Sequence, residues 1–310
     1  MIKQNVKAYI LKKYNIKESD FLGKGQEAEV YLYDHDRVIK LYDSTAFKKQ
    51  QILKRFYESM VSDDINFELP SIHEIIKEQD AILTIEKRIV GRNIQKDLSQ
   101  YNAEELEAFF KNYLNTIVSI QNINLKTKMS EYKLLSDYEW SERPNDWYDF
   151  LKQSLICKNN EVKEYLMKAV LNYEMKYERL LKLLSVEYKG DYSLIHGDFY
   201  PSNLLVNEEG KISGVIDFGL MTLYGDFVFD VALSWFLFDL YEELGEKKLE
   251  NYLKMILDTI GYEYKNRIYL YVLFYSIYSA NYFSENCSDG HYQWSVRNLN
   301  NEKYWEKLEE

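Results

Sequence analysis

A carboxylate and a carboxamide stand five residues apart in His196-Gly197-Asp198-Phe199-Tyr200-Pro201-Ser202-Asn203-Leu204-Leu205, and a second carboxylate follows in Ile216-Asp217-Phe218-Gly219. These groups suit phosphoryl transfer from a nucleotide. That reaction needs hard Mg²⁺ to neutralise phosphate charge, and Mg²⁺ takes oxygen ligands such as an Asn carbonyl and an Asp carboxylate. Asn203 and Asp217 are therefore the candidate metal ligands. The reaction also needs a group that accepts a hydrogen bond from the attacking hydroxyl and aims it at phosphorus. Asp198 is the candidate catalytic residue.

The elements that must position these groups divide the chain. After a helix near residues 3–14, the runs Glu27 to Asp34 and Arg37 to Tyr42 are β-branched and aromatic, joined across Asp34-His35-Asp36, and predict a hairpin. A helix follows over 45–61, then strands over 71–77 and 81–89. Beyond Ala103 the period is helical over 104–120, 161–184, 228–244, 247–260 and 264–284. Residues 193–218, where short apolar pieces alternate with Gly, Pro and Asn, are the exception. The pattern predicts an α+β protein with domains 1–91 and 92–310, and no flexible linker between them.

The order H-G-D-x-x-x-x-N, I-D-F-G and then G-D-x-x-x-D resembles the aminoglycoside phosphotransferase family, which has a protein-kinase-like bilobal fold with a small antiparallel-sheet N-lobe and a large helical C-lobe. The resemblance extends into the first lobe. Gly23-Lys24-Gly25-Gln26-Glu27-Ala28-Glu29-Val30 is similar to the kinase glycine-rich loop, with Ala28 in place of its last glycine; Gly23 and Gly25 would let backbone amides approach phosphate. Lys40 matches the lysine that holds the α- and β-phosphates, and a lysine inside the apolar run VIKLY is costly unless paired. The resemblance implies a partner carboxylate on the next helix, where Glu58 is the only acidic residue between Asp43 and Asp63. It also implies that Glu86 and Arg88 lie in the hinge that holds the base of ATP or GTP through backbone groups. His196 would hold the loop in shape, and Asp226 and Asp230 would brace it from the start of a helix. Gly197 replaces the arginine usual in protein kinases, and no A-P-E segment follows Asp217, which argues against a protein kinase switched through an activation loop.

Charge adds a constraint on partners. The 310 residues contain 39 Lys+Arg and 50 Asp+Glu, net −11, which repels nucleic acid. The excess lies beyond residue 95: residues 1–95 carry 16 basic and 15 acidic side chains, residues 96–310 carry 23 and 35. Two cysteines, Cys157 and Cys287, in no metal or redox pattern, predict a reduced, cytoplasmic protein. The N-terminus does not read as a signal peptide, and the uncharged stretch Ile268 to Ser284 reads as a buried helix and not a membrane span. No membrane partner is expected.

Acceptor recognition is expected in the acidic second lobe. Residues 129–150 interleave acids, among them Glu139, Asp146 and Asp149, with Trp147 and other aromatics, and Asp239, Glu242 and Glu243 follow an apolar helix. Carboxylates beside flat rings suit a polyamine sugar. Glu139, Asp239, Glu242 and Glu243 are the candidate substrate residues. The chain thus reads as a nucleotide- and Mg²⁺-dependent phosphotransferase acting on a hydroxyl of a small cationic molecule, with an aminoglycoside antibiotic as first choice. A kinase of choline, a sugar or an amino-alcohol, and a kinase-like binding protein without turnover, are the alternatives.

Overall fold

The computed structural model describes residues 2–25, 27–93, 98, 100–126, 144–218, 222–240, 244–306 and 308, without the Asp239 side chain. Two compact units result: Met1–Lys96 with Asn122–Leu135 and Pro201–Phe218, and Asp97–Gln121 with Ser136–Tyr200 and Gly219–Glu310. Two later segments therefore lie with the N-terminal one, and no single cut after residue 91 describes the division.

The first unit is built on an antiparallel sheet of β1 (Phe21–Lys24), β2 (Ala28–Leu32), β3 (Arg37–Asp43), β5 (Ile72–Glu78) and β6 (Ala81–Lys87), in the order β1-β2-β3-β6-β5. Side chains alternate across a strand, so each strand feeds both faces. Tyr31, Ile39, Leu41, Leu83 and Ile85 pack with Val6, Ile10 and Leu11 of α1 (Gln4–Lys13), whose apolar residues recur at helical spacing. The opposite face receives the intervening residues, Lys40 and Tyr42 from β3 and Thr84 and Glu86 from β6. Helix α2 (Phe47–Ser59) follows β3 and leads into the short strand β4 (Met60–Val61), which pairs with β8 (Asn124–Leu125). A second sheet joins β7 (Arg92–Asn93) to the hairpin of β10 (Leu204–Val206) and β11 (Ile212–Val215).

The second unit is mostly helical. Helix α3 (Ala103–Ile120) starts at Asn102, whose side chain caps the amides of Glu104 and Glu105 while Glu105 reaches back to the Asn102 amide. The helix expected over 161–184 is two: α4 (Trp147–Ala169) and α5 (Tyr173–Leu183). Between them Asn172 takes φ 55°, a left-handed turn that asparagine tolerates without glycine or proline to mark it. Strand β9 (Ser193–Ile195) pairs with β12 (Leu223–Gly225), and α6 (Val228–Leu240), α7 (Glu246–Ile260), α8 (Lys265–Tyr278), α9 (Gly290–Leu299) and α10 (Glu302–Glu306) complete the unit. Every residue from Ile268 to Tyr278 is buried, because α8 packs against α4, α6 and α9. That helix ends at Tyr278, short of the expected Ser284, where the Ser279 hydroxyl turns back to donate to the Tyr275 carbonyl. Among the described residues no helix is long and apolar enough to cross a membrane.

Candidate active site

The β10–β11 hairpin brings together the two candidate metal ligands. Leu204 lies opposite Val215, and the Ile216 amide donates to the Asn203 carbonyl at 2.9 Å. Asn203 and Asp217 therefore leave the same end of the hairpin. Asn203 is buried, whereas Asp217 is exposed and holds φ 63°, a left-handed conformation that costs a non-glycine residue about 1 kcal/mol or more and persists only where surrounding structure imposes it. From β7, the Asn93 carboxamide donates to the Ser202 carbonyl at 2.6 Å, fixing the turn that precedes Asn203.

Lys40 sits on the face of the sheet opposite α1. Its ammonium is 2.9 Å from Glu86 Oε2, and Thr84 donates to Glu86 Oε1 at 2.6 Å. Burial works against the lysine's charge, but Glu86 and the phenols of Tyr42 and Tyr57 outweigh it and hold the group well above its ordinary range. The same neighbourhood includes Asp217. Burial chiefly pushes up Tyr42 and Tyr57, and after opposing attraction from Lys40 the carboxylates of Glu86 and Asp217 push them further.

Glu58, expected as the partner of Lys40, is not. It is 56% exposed and pairs with Lys54, one turn back on α2 at 3.3 Å. A helix turns about 100° per residue, so the buried neighbours Phe56 and Tyr57 take the inward face and Glu58 is carried away from it. Glu86, expected to lie in the hinge, supplies the carboxylate. Thr84-x-Glu86 was a readable signal: two polar residues at strand spacing inside AILTIEK share a face. Arg88 follows β6, with its amide donating to the Asp36 carbonyl at 2.7 Å and its guanidinium to the His35 carbonyl at 3.2 Å.

Gly23 and Gly25 are instructive for what does not surround them. Among the described residues, a Cβ at Gly23 would meet nothing within 4 Å, and one at Gly25 only the Ala28 carbonyl at 3.9 Å. Neither has a positive φ. Among the described residues, neither backbone conformation nor packing calls for glycine at either position.

In the second unit, the loop carrying Asp198 is fixed through its backbone. Asp230, in the first turn of α6, accepts from the amides of His196 (2.6 Å) and Gly197 (2.7 Å). Thr222 donates to the His196 carbonyl, the Asp198 amide donates to His196 Nδ1 at 3.3 Å, and Tyr113 donates to the Phe199 carbonyl. Gly197 adopts φ 80°, which a side chain would oppose. His196 is fully buried and edge-on to Phe199, a shaping residue, while the Asp198 side chain is exposed. Burial pushes Asp230 up to about 6, against the pull of His196 and the two amides.

Asp226 anchors a second network. It caps α6 through the Val228 amide, pairs with Arg267 at 3.2 Å, and accepts from the Tyr271 hydroxyl, which itself accepts from Trp147 Nε1 at 3.0 Å. Trp147, placed by sequence in the acceptor-facing segment, is thus a buried strut. Asp146 and Asp149 from the same segment serve the start of α4: Asp146 is its N-cap and accepts from the Asp149 amide, and Asp149, in the first turn, accepts from Asn145 and Gln153. Glu139, Glu242 and Glu243 lie outside the described residues, as does the side chain of Asp239 on α6.

The donor set at Asn203 and Asp217 fits Mg²⁺, which binds through few protein oxygens and completes its shell with water and phosphate. Among the described residues no cluster of three or more His, Cys, Asp and Glu side chains could hold a metal of the all-protein kind.

Comparison with known proteins places the fold. The chain resembles ADP-bound aminoglycoside phosphotransferase APH(2'')-Ib, at 19% identity over 99% of each chain with a TM-score of 0.60. It also resembles the GDP complex of wild-type aminoglycoside 2'-phosphotransferase-IIIa, at 14% identity over 99% of this chain and 100% of that one, TM-score 0.63. At such identities the likeness establishes the fold. A probable serine/threonine-protein kinase of Dictyostelium discoideum is 29% identical over 112 residues, which span 34% of this chain and only 15% of that protein. Residues 21–264 match the phosphotransferase enzyme family, APH, and with so much of the chain inside the match, this protein belongs to that family and is a phosphotransferase.

Proposed function

We propose that the protein transfers the γ-phosphoryl group of ATP or GTP, with Mg²⁺, to a hydroxyl of a small cationic molecule, an aminoglycoside antibiotic being the first substrate to test. The observation that carries the reading is the contrast at Asp198: an exposed carboxylate on a loop whose backbone is held on both sides of it. A rigid backbone with an outward carboxylate suits a group that must orient an incoming hydroxyl and accept its proton. Asn203 and Asp217 would hold Mg²⁺, which when bound neutralises phosphate charge. Lys40 would bind the α- and β-phosphates, and Gly23 and Gly25 would leave room for main-chain amides to meet phosphate oxygens. Glu86 and Arg88 flank the segment expected to hold the base. The net charge of −12 beyond residue 95 supports a cationic acceptor.

The test is nucleoside diphosphate release across a panel of aminoglycosides and metabolite alcohols such as choline, with either nucleotide, for wild type and Asp198→Ala. Turnover on an aminoglycoside, abolished by Asp198→Ala with nucleotide binding retained, is expected. Turnover confined to metabolite alcohols would overturn the acceptor assignment, and a wild-type rate in Asp198→Ala would overturn the catalytic one.

A further inference from the structure

A lysine that holds phosphate needs an anion to keep its long side chain in one geometry, since four rotatable bonds otherwise disperse the charge. Kinase-like sequence logic looks for that anion on α2, and α2 does not provide it. Its one carboxylate, Glu58, is solvent-exposed beside Lys54. The buried residues of the helix are Gln50, Phe56, Tyr57 and Ser59, and the buried Oε1 of Gln50 has no hydrogen-bond partner among the described residues.

We infer that Glu86 is the positioning residue of the phosphate-binding lysine, so that the sheet alone presets Lys40 for a nucleotide; this rests on the nucleotide reading of the site. Lys40 and Thr84 are register partners on adjacent antiparallel strands, and Glu86 stands two residues along on the same face. Both oxygens of its carboxylate are engaged, one by Lys40 at 2.9 Å and one by Thr84 at 2.6 Å. The side chain is 4% exposed, so the carboxylate depends on this pairing: stripped of its partner, a buried charge is strongly destabilising. The carboxylate that orients the lysine is thus part of the strand ladder. A displacement of α2 leaves the pair intact, which sets this site apart from one assembled by swinging a helix inward.

The experiment is calorimetric titration with non-hydrolysable ATP and GTP analogues in excess Mg²⁺, on wild type, Glu86→Gln, Glu58→Gln, Lys40→Met and the double variant Lys40→Met/Glu86→Gln. Loss of a charge-assisted bond predicts nucleotide binding weakened about tenfold or more in Glu86→Gln and changed by less than about twofold in Glu58→Gln. Because Glu86 acts through the lysine, its substitution adds less than about twofold in the Lys40→Met background. A residue serving only the fold would weaken binding equally in both backgrounds. Wild-type affinity in Glu86→Gln, a comparable loss in Glu58→Gln, or an undiminished loss in the Lys40→Met background each overturns the inference. Wild-type protein that binds neither nucleotide would instead overturn the nucleotide reading on which it stands. If Glu86→Gln does not fold, Thr84→Val, which frees Oε1, is expected to weaken binding in the same direction, and unchanged affinity there overturns the inference.

Discussion

Asp230 allows a sharp test, because two opposing effects meet on one buried group. Its carboxylate accepts two backbone amides, which favours the ionised form, and it is removed from water, which disfavours it. Burial prevails and pushes the group up to about 6. In the unfolded chain an aspartate titrates near about 3.9. The folded chain therefore binds this proton more tightly, so the contribution of the protonated form is fully present below about pH 4 and is lost as pH rises toward 6. A shift of about two pH units corresponds to about 3 kcal/mol at about 1.4 kcal/mol per unit. Asp230→Asn removes the titration and leaves the other carboxylates in place. The stability of wild type minus that of Asp230→Asn, from urea unfolding, is expected to fall by about 2 kcal/mol between about pH 4, where the unfolded aspartate is already half ionised, and pH 6.5. Exchange of the His196 and Gly197 amides should quicken in the variant relative to wild type above about pH 6, since the two amides use different oxygens and the carboxamide nitrogen that replaces one of them cannot accept. A difference that stays flat with pH, or grows, would show that the two amides outweigh burial and would refute the reasoning.

Other outcomes follow from close contacts. Gly225→Ala would place a Cβ 2.5 Å from Trp147 Cε3, and a loss of about 1–3 kcal/mol in urea unfolding is expected; wild-type stability would mean the ring has room to move. Tyr271→Phe leaves the buried Trp147 indole N–H without its acceptor at 3.0 Å and removes a donor from Asp226, costing about 1–3 kcal/mol by the same measurement. Asp217→Ala should abolish the difference between nucleotide titrations run in Mg²⁺ and in chelator, and a persisting difference would remove Asp217 from the metal site.

What was legible in sequence depended on whether the signal was local. The order of Asp198, Asn203 and Asp217, and the lysine within VIKLY, stood out because each departs from its immediate surroundings. The hairpin of β2 and β3 and the buried nature of α8 were readable from period and composition. The partner of Lys40 was not, because it turns on helical phase and strand register: one residue separates inward Tyr57 from outward Glu58, and Glu86 reaches Lys40 only through the β3–β6 pairing. Trp147 misled for a related reason. An aromatic among acids resembles a binding face until Tyr271, 124 residues later, closes on its indole. The break at Asn172 carried neither glycine nor proline.

The β10–β11 hairpin has one end that is chemically committed and one that is not. At the first, Asn203 and Asp217 are tied by the Ile216 amide; at the other, Asn207 Oδ1 accepts from the amides of Glu209 and Lys211, and Gly210 turns in open solvent. Sequence drift, or an inserted reporter, is expected to be tolerable at residues 208–210 without disturbing Asn203 and Asp217, the proposed metal ligands, because the ladder between the two ends absorbs the change. The same short element thus carries both the proposed metal ligands and a permissive graft point.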